Sequence, residues 1–272
     1  MKLCLDSLTL TNTEPMDLIR SARSAGFDLV SLWVQPPALF PLPLVNQNNA
    51  KACADALADT GVAVGPLEVF DLKSAEAVES YRPALELGAR LGAKTASAIN
   101  VSNQDSVAVG ALFARLGEIA AGYGLGVTLE PLAMFATSTL GQARDIIRAS
   151  GVDGGIVLDA FHLVRMGGTA ADVRSMGPGL IRHIQLCDGP ASVSEEQAHY
   201  ESVNERLYPG DGEFPLLELL RDAPTDITWG VEAPSRRRAE SGVSAQEQAL
   251  EVIAAMRRVI DKICAERPPS IG

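Results

Sequence analysis

Oxygen-bearing side chains recur along the second half of the sequence at the ends of short apolar runs. GVTLEPL closes on Glu130, and GGIVLDAFH carries Asp159 with His162 three residues later. LIRHIQLCDGP carries His183, Gln185 and Asp188, and ITWGVEAP closes on Glu232. Glu130 and Asp159 are 29 residues apart, and Asp159 and Gln185 are 26 apart, each about one β/α unit. Gln185 and Glu232 are 47 apart, and an insertion from Gly189 to about Gly212 accounts for the excess. Equivalent positions on successive parallel strands meet on one rim. Three carboxylates crowded there raise one another's pKa, and a divalent cation removes that conflict. A single Asp or Glu at a strand end is ordinarily a helix cap or a surface ion pair. Four donors at equivalent places predict a metal site, with Glu130, Asp159, Gln185 and Glu232 as ligands. Oxygen donors without a thiolate favour a harder ion over a structural zinc, so the expected cofactor is one Mn²⁺, Mg²⁺ or Co²⁺.

The elements that must position these residues follow from the pattern of apolar runs and breakers. Strands are expected at Lys2–Asp6, Asp28–Trp33, Val62–Val69, Lys94–Ile99, Val127–Glu130, Gly155–Asp159, Ile181–Leu186 and Thr228–Glu232. Between them, helical spacing predicts helices over Glu14–Gly26, Asn48–Thr60, Ala75–Leu91 (tolerating Pro83), Val107–Tyr123, Leu140–Ser150 and Ala170–Met176. Two more are expected over Glu213–Arg221 and Ala245–Ala265. The stretch QPPALFPLPLVNQ, with four prolines, excludes a helix and reads as a loop placed to cover a pocket. Strict alternation of eight strands and eight helices predicts a single-domain (β/α)8 TIM barrel over 1–266, with a frayed tail at 267–272. The absence of G-x-G-x-x-G after the first strand argues against a doubly wound sheet.

Composition agrees with that class and excludes others. The chain has 272 residues, 47% hydrophobic and only 5% aromatic, which suits a core of Leu, Val, Ile and Ala. A net charge of −11 lacks the basic footprint of a nucleic-acid binder. No run of 18 apolar residues is present, so no membrane span is expected. The four cysteines, at 4, 53, 187 and 264, have no C-x-x-C spacing and read as reduced thiols of a cytoplasmic protein. The opening MKLCLDSLTL reads as a strand rather than a signal peptide. The expected partner is a small polar molecule, and assembly as a homo-oligomer is left open.

The segments TLEPL, LDAFH, HIQLCDGP, RLYPGDGEFPL and GVEAPS resemble the xylose isomerase-like barrels of the sugar phosphate isomerase/epimerase family, a superfamily that includes endonuclease IV. The resemblance covers about half the chain. It implies the same four ligands, Glu130, Asp159, Gln185 and Glu232. It also implies a substrate contact at His162 and a substrate-facing arginine at Arg206, whose fork suits a carboxylate or phosphate. A solvated loop arginine is the plain alternative for Arg206. Ketose 3-epimerases carry histidine where this chain has Gln185, whereas bacterial 3-dehydroshikimate dehydratases carry glutamine.

The resemblance implies an isomerase or epimerase of a hydroxy-ketone sugar or sugar phosphate. Glu130 and Glu232 flank the substrate, one removing a proton and the other returning it, with His162 on a substrate oxygen. If a hydroxyl lies β to the carbonyl, the same first step leads to dehydration. A non-catalytic sugar-binding barrel is a further alternative. A nuclease of the endonuclease IV type needs a histidine-rich zinc site, and this chain has three histidines in all. His183 shares a strand face with Gln185 and reads as a substrate contact, a group supporting the ligands, or a core histidine. Asp188 is placed to orient a ligand, Cys187 to fill space, and Arg236, Arg237 and Arg238 to form a solvated run past the rim.

Overall fold

The computed structural model describes residues 1–37 and 41–266. The expected tail at 267–272 and the middle of the proline-rich loop lie outside the described residues. Eight strands pair in parallel in chain order. They are β1 (Lys2–Leu5), β2 (Leu29–Trp33), β3 (Ala63–Asp71), β4 (Thr95–Ile99), β5 (Gly126–Leu129), β6 (Gly154–Asp159), β7 (Ile181–Leu186) and β8 (Thr228–Val231). The barrel closes where β8 pairs back onto β1, with Lys2 opposite Thr228 and Leu5 opposite Val231.

Helix ends follow local chemistry. Pro15 opens the helix Pro15–Ala25, and Gly26 closes it with φ 86°, a left-handed conformation that glycine adopts without a Cβ clash. Thr139 with Gln142, and Ser244 with Glu247, form reciprocal capping boxes on the helices Leu140–Ser150 and Ala245–Ala265. The helix expected over Ala75–Leu91 is two, Ala75–Ser80 and Arg82–Arg90. Pro83 cannot donate within a continuing helix, so it sits in the first turn of the second one. The insertion after β7 holds a helix, Glu195–Asn204, capped by Ser194 and Gln197. The helix expected over Glu213–Arg221 shortens to Leu216–Leu220, because Pro215 occupies its N-cap.

Two different cores result from the alternation of each strand. Leu5, Val30, Leu129, Leu158, Ile184 and Val231 join helix residues such as Ile19, Leu116 and Ile253 in one buried apolar cluster. Each such side chain contributes roughly 1.5–3 kcal/mol by leaving water. The residues between them carry polar groups into the barrel. Asp6, Ser31, Glu68, Ser97, Thr128, His183 and Gln185 are all buried. Gly230 on β8 makes room for this layer, since a Cβ there would collide with Asp6 and meet His183 Nε2 at 2.8 Å. On β7 the register against β6 slips between Ile181 and His183, so Arg182 is an extra residue that packs over Gly155.

Candidate active site

The C-terminal rim of the barrel gathers the expected ligands from four neighbouring strands. Glu130 directly follows β5, Asp159 ends β6, Gln185 lies one residue from the end of β7, and Glu232 directly follows β8. All four are buried, with exposures of 6%, 3%, 1% and 6%. A pocket of about 80 Å³ opens onto two of them, Glu130 and Glu232, with His162 and Arg206 also at its polar floor. Its described walls are mostly apolar and include Leu8, Trp33, Val69, Ile99, Leu132 and Phe135. A hollow of about 310 Å³ nearby touches Asp159 but none of Glu130, Gln185 or Glu232. The convergence of chemistry therefore selects the smaller pocket.

Asp159 is held from two sides. Its Oδ1 accepts the Phe161 N–H at 2.7 Å, capping the short helix Ala160–Arg165, and its Oδ2 accepts Arg206 Nη1 at 2.7 Å. Burial pushes its carboxyl up, but Arg206, His162 and these hydrogen bonds outweigh burial and hold it below the usual range. Arg206 Nη1 also lies 3.2 Å from Glu232 Oε2, and the guanidinium sits 4.6 Å above the Phe161 ring. Glu232 nonetheless stays well above an ordinary glutamate, because burial and the neighbouring carboxylates exceed the pull of Arg206. Glu130 is pushed up to about 8 by burial, with the Asp159 charge adding to it and Arg206 opposing.

His162 stands 3.7 Å from Glu130 Oε1 and 3.8 Å from Asp159 Oδ2 through Nε2. The three side chains lie close enough to share an ion. The hydrogen bonding argues for a different role for the histidine. Its Nδ1 accepts the Ala133 N–H at 3.1 Å, so the proton of the neutral ring resides on Nε2, and that nitrogen donates. Burial holds the ring neutral by lowering its pKa to about 4. Ala133 is presented by a tight loop in which Met134 takes φ 70°, a strained conformation for a non-glycine residue.

Gln185 is oriented through its nitrogen. Nε2 donates to Glu232 Oε1 at 3.1 Å and to Glu68 Oε1 at 3.4 Å, and Glu68 in turn accepts Ser31 Oγ at 2.9 Å. Gln185 Oε1 is buried and has no hydrogen-bond partner among the described residues. A buried acceptor left without a donor is costly, so the site fits a cation that this oxygen and the three carboxylates would hold.

The remaining expectations separate by position. Arg206 lines the pocket and pairs with both Asp159 and Glu232. His183 lies below the rim with Nε2 3.3 Å from Asp6 Oδ2 and does not line the pocket. Asp188 organises the insertion, accepting the N–H groups of Gly189, Gly210 and Phe214. Cys187 is buried behind Asp159, and burial pushes its thiol up. Arg236, Arg237 and Arg238 pair with Glu240, Glu205 and Glu251. Asp6, Ser31 and Glu68 support the site but were not among the expected residues. Their signal was the same one, a polar side chain in or directly after strands β1 to β3, outside the region of family resemblance.

Comparison with known proteins agrees with this architecture. No curated protein matches the sequence. Among solved structures, a xylose isomerase-like TIM barrel/4-hydroxyphenylpyruvate dioxygenase fusion protein superposes with a TM-score of 0.83 at 19% identity, covering 100% of this chain and 45% of that one. This chain therefore spans less than half the length of the fusion protein. The IOLI protein, crystallised with a zinc atom, gives a TM-score of 0.79 at 20% identity over 97% of this chain and 99% of that one. An L-ribulose 3-epimerase gives 0.72 at 19% identity over 97% and 96%. These likenesses show the fold. Among the described residues, no helix is long and apolar enough to cross a membrane. A family model matches residues 19–259, and the chain belongs to the xylose isomerase-like TIM barrel family.

Proposed function

We propose that this protein is a divalent-metal-dependent isomerase or epimerase of a hydroxy-ketone sugar, a sugar phosphate or a sugar-like acid. The donor set carries the reading: Glu130, Asp159 and Glu232 share the rim with Gln185, whose buried Oε1 has no hydrogen-bond partner among the described residues. These four residues would hold the ion, and a bound ion would supply Lewis-acid polarisation of a carbonyl and its neighbouring hydroxyl. Glu130 opens onto the pocket, and a bound cation would keep it ionised and ready to take a proton. Glu232 opens onto the same pocket, so one carboxylate takes the proton and the other returns it to the opposite face. His162 donates a hydrogen bond from its Nε2–H to a substrate oxygen and stays neutral while doing so. The apolar walls limit water around the carbanion-like intermediate. Family membership and the structural likeness to an L-ribulose 3-epimerase support this choice.

The walls of the pocket also favour a second reading. Leu8, Trp33, Val69, Ile99, Leu132 and Phe135 offer few donors to the hydroxyls of an open-chain sugar and suit a compact ring. With a hydroxyl β to the carbonyl, the same proton abstraction ends in loss of water, as in a 3-dehydroshikimate dehydratase, and Gln185 is shared with those enzymes. Turnover in D₂O separates the two. An epimerase yields product with deuterium at one carbon and no loss of water. Conversion of 3-dehydroshikimate to an ultraviolet-absorbing product, with no exchange on a panel of ketoses and their phosphates, would replace the first reading by the second.

A further inference from the structure

The opposite end of the barrel carries a second site with its own chemistry. A cavity of about 320 Å³ opens at the N-terminal mouth, and Lys2, Lys94, Arg182, Thr128 and His183 are among its lining residues. Barrel interiors are ordinarily filled by bulky branched side chains. Here Gly65, Thr95 and Thr228 line the cavity as well, and their small size leaves the mouth open. The slipped register of β7 brings Arg182 over Gly155.

The charges at this mouth oppose the net charge of −11 of the whole chain. Arg182 is compensated, because its guanidinium pairs with the Asp153 carboxylate and donates to the Asp153 carbonyl at 3.1 Å. Among the described residues, Lys2 and Lys94 have no ion pair, so two ammonium charges on one cavity repel without a counter-charge. Thr128 is 1% exposed, and its Oγ1 has no hydrogen-bond partner among the described residues. A hydroxyl buried at a polar cavity needs an acceptor or donor from whatever occupies that space. Two free positive charges and one buried hydroxyl match a dianion with several acceptor oxygens.

We propose that the N-terminal mouth of the barrel binds a small phosphate-type dianion, either free phosphate or the phosphoryl group of a small metabolite. The site is separate from the rim, which lies at the other end of the strands. The test is calorimetric titration of the full-length protein with inorganic phosphate and, in a second arm, with glycerol phosphate, at constant ionic strength. Metal-stripped protein is used, so that an ion at the rim cannot capture the ligand. Saturable one-site binding is expected, weakened at least tenfold in the double variant Lys2→Gln/Lys94→Gln and several-fold in Thr128→Val. The tighter of the two ligands identifies the source of the phosphoryl group. Both lysines are exposed, so the double variant folds even where Thr128→Val does not. Absence of saturable binding to either ligand, or equal affinity in wild type and the double variant, overturns the proposal.

Discussion

Gln185 Nε2 donates to Glu232 Oε1 at 3.1 Å, and this bond decides which end of the amide is left for a ligand. The nitrogen is engaged, with Glu68 as a second acceptor, and the oxygen has no partner among the described residues. Gln185→His keeps one neutral donor atom at this place and is expected to retain metal. Gln185→Leu removes the donor and is expected to lose metal by tenfold or more in affinity. Metal content after dialysis, read by elemental analysis, checks the pair. Equal content in both variants removes Gln185 from the ligand set.

Chelation is expected to abolish activity, with recovery on addition of Mn²⁺, Mg²⁺ or Co²⁺. The ion also stabilises the fold by mass action, about 2.7 kcal/mol at a concentration one hundred times its Kd. The metal-stripped protein therefore melts lower than the loaded one. Full activity in protein shown to be metal-free contradicts the assignment.

Stability of the metal-stripped protein is expected to fall as pH rises from about 5 to about 8. Glu130 titrates near 8 in the folded chain and near the ordinary glutamate value when unfolded. Between those values the folded state holds a proton that the unfolded state has lost, so raising the pH favours unfolding, by up to about 1.4 kcal/mol per pH unit. Above about 8 the contribution is flat. Glu232 and Glu68 are shifted the same way and add to the slope. Melting curves of wild type and Glu130→Gln across this range test the sign, and the variant has the shallower fall. An equal or steeper fall in Glu130→Gln rules out the raised carboxyl.

Arg206→Ala removes a buried cation from between two carboxylates. Breaking such a pair by deleting one partner costs about 3–5 kcal/mol, because the remaining charges stay buried. Metal-stripped Arg206→Ala is expected to melt at least about 6 °C lower than wild type, and added Mn²⁺ narrows the gap by supplying positive charge. If the guanidinium also clamps a substrate anion, KM rises while kcat holds. An unchanged melting temperature returns Arg206 to the role of a solvated loop residue.

The barrel was legible because its period is coarse. Apolar runs of four to six residues recur at about one β/α unit, and glycines such as Gly26, Gly61 and Gly151 stop helices where the pattern ends. The rim ligands follow from the same spacing, since equivalent strand positions share one end of the barrel. What spacing cannot carry is contact across the barrel. Asp6 and His183 are 177 residues apart in sequence and adjacent in space, and Gly230 between them has no side chain to announce the contact. Glu68 lies inside its strand rather than at the end, so spacing alone does not mark it as a partner of Gln185. The helix Glu195–Asn204 was hidden because its face is nearly all polar, with only Ala198 buried.

Arg206 follows that helix, within the insertion between β7 and β8, whereas every acid it faces belongs to the repeating frame. The two halves of the local charge balance thus come from separately encoded parts. The frame fixes where negative charge gathers, and an appended loop sets how much of it is neutralised. Exchanging that loop for one without an arginine leaves the barrel geometry in place and shifts the rim by one unit of charge, which makes the insertion a natural point for retuning the chemistry of the same scaffold.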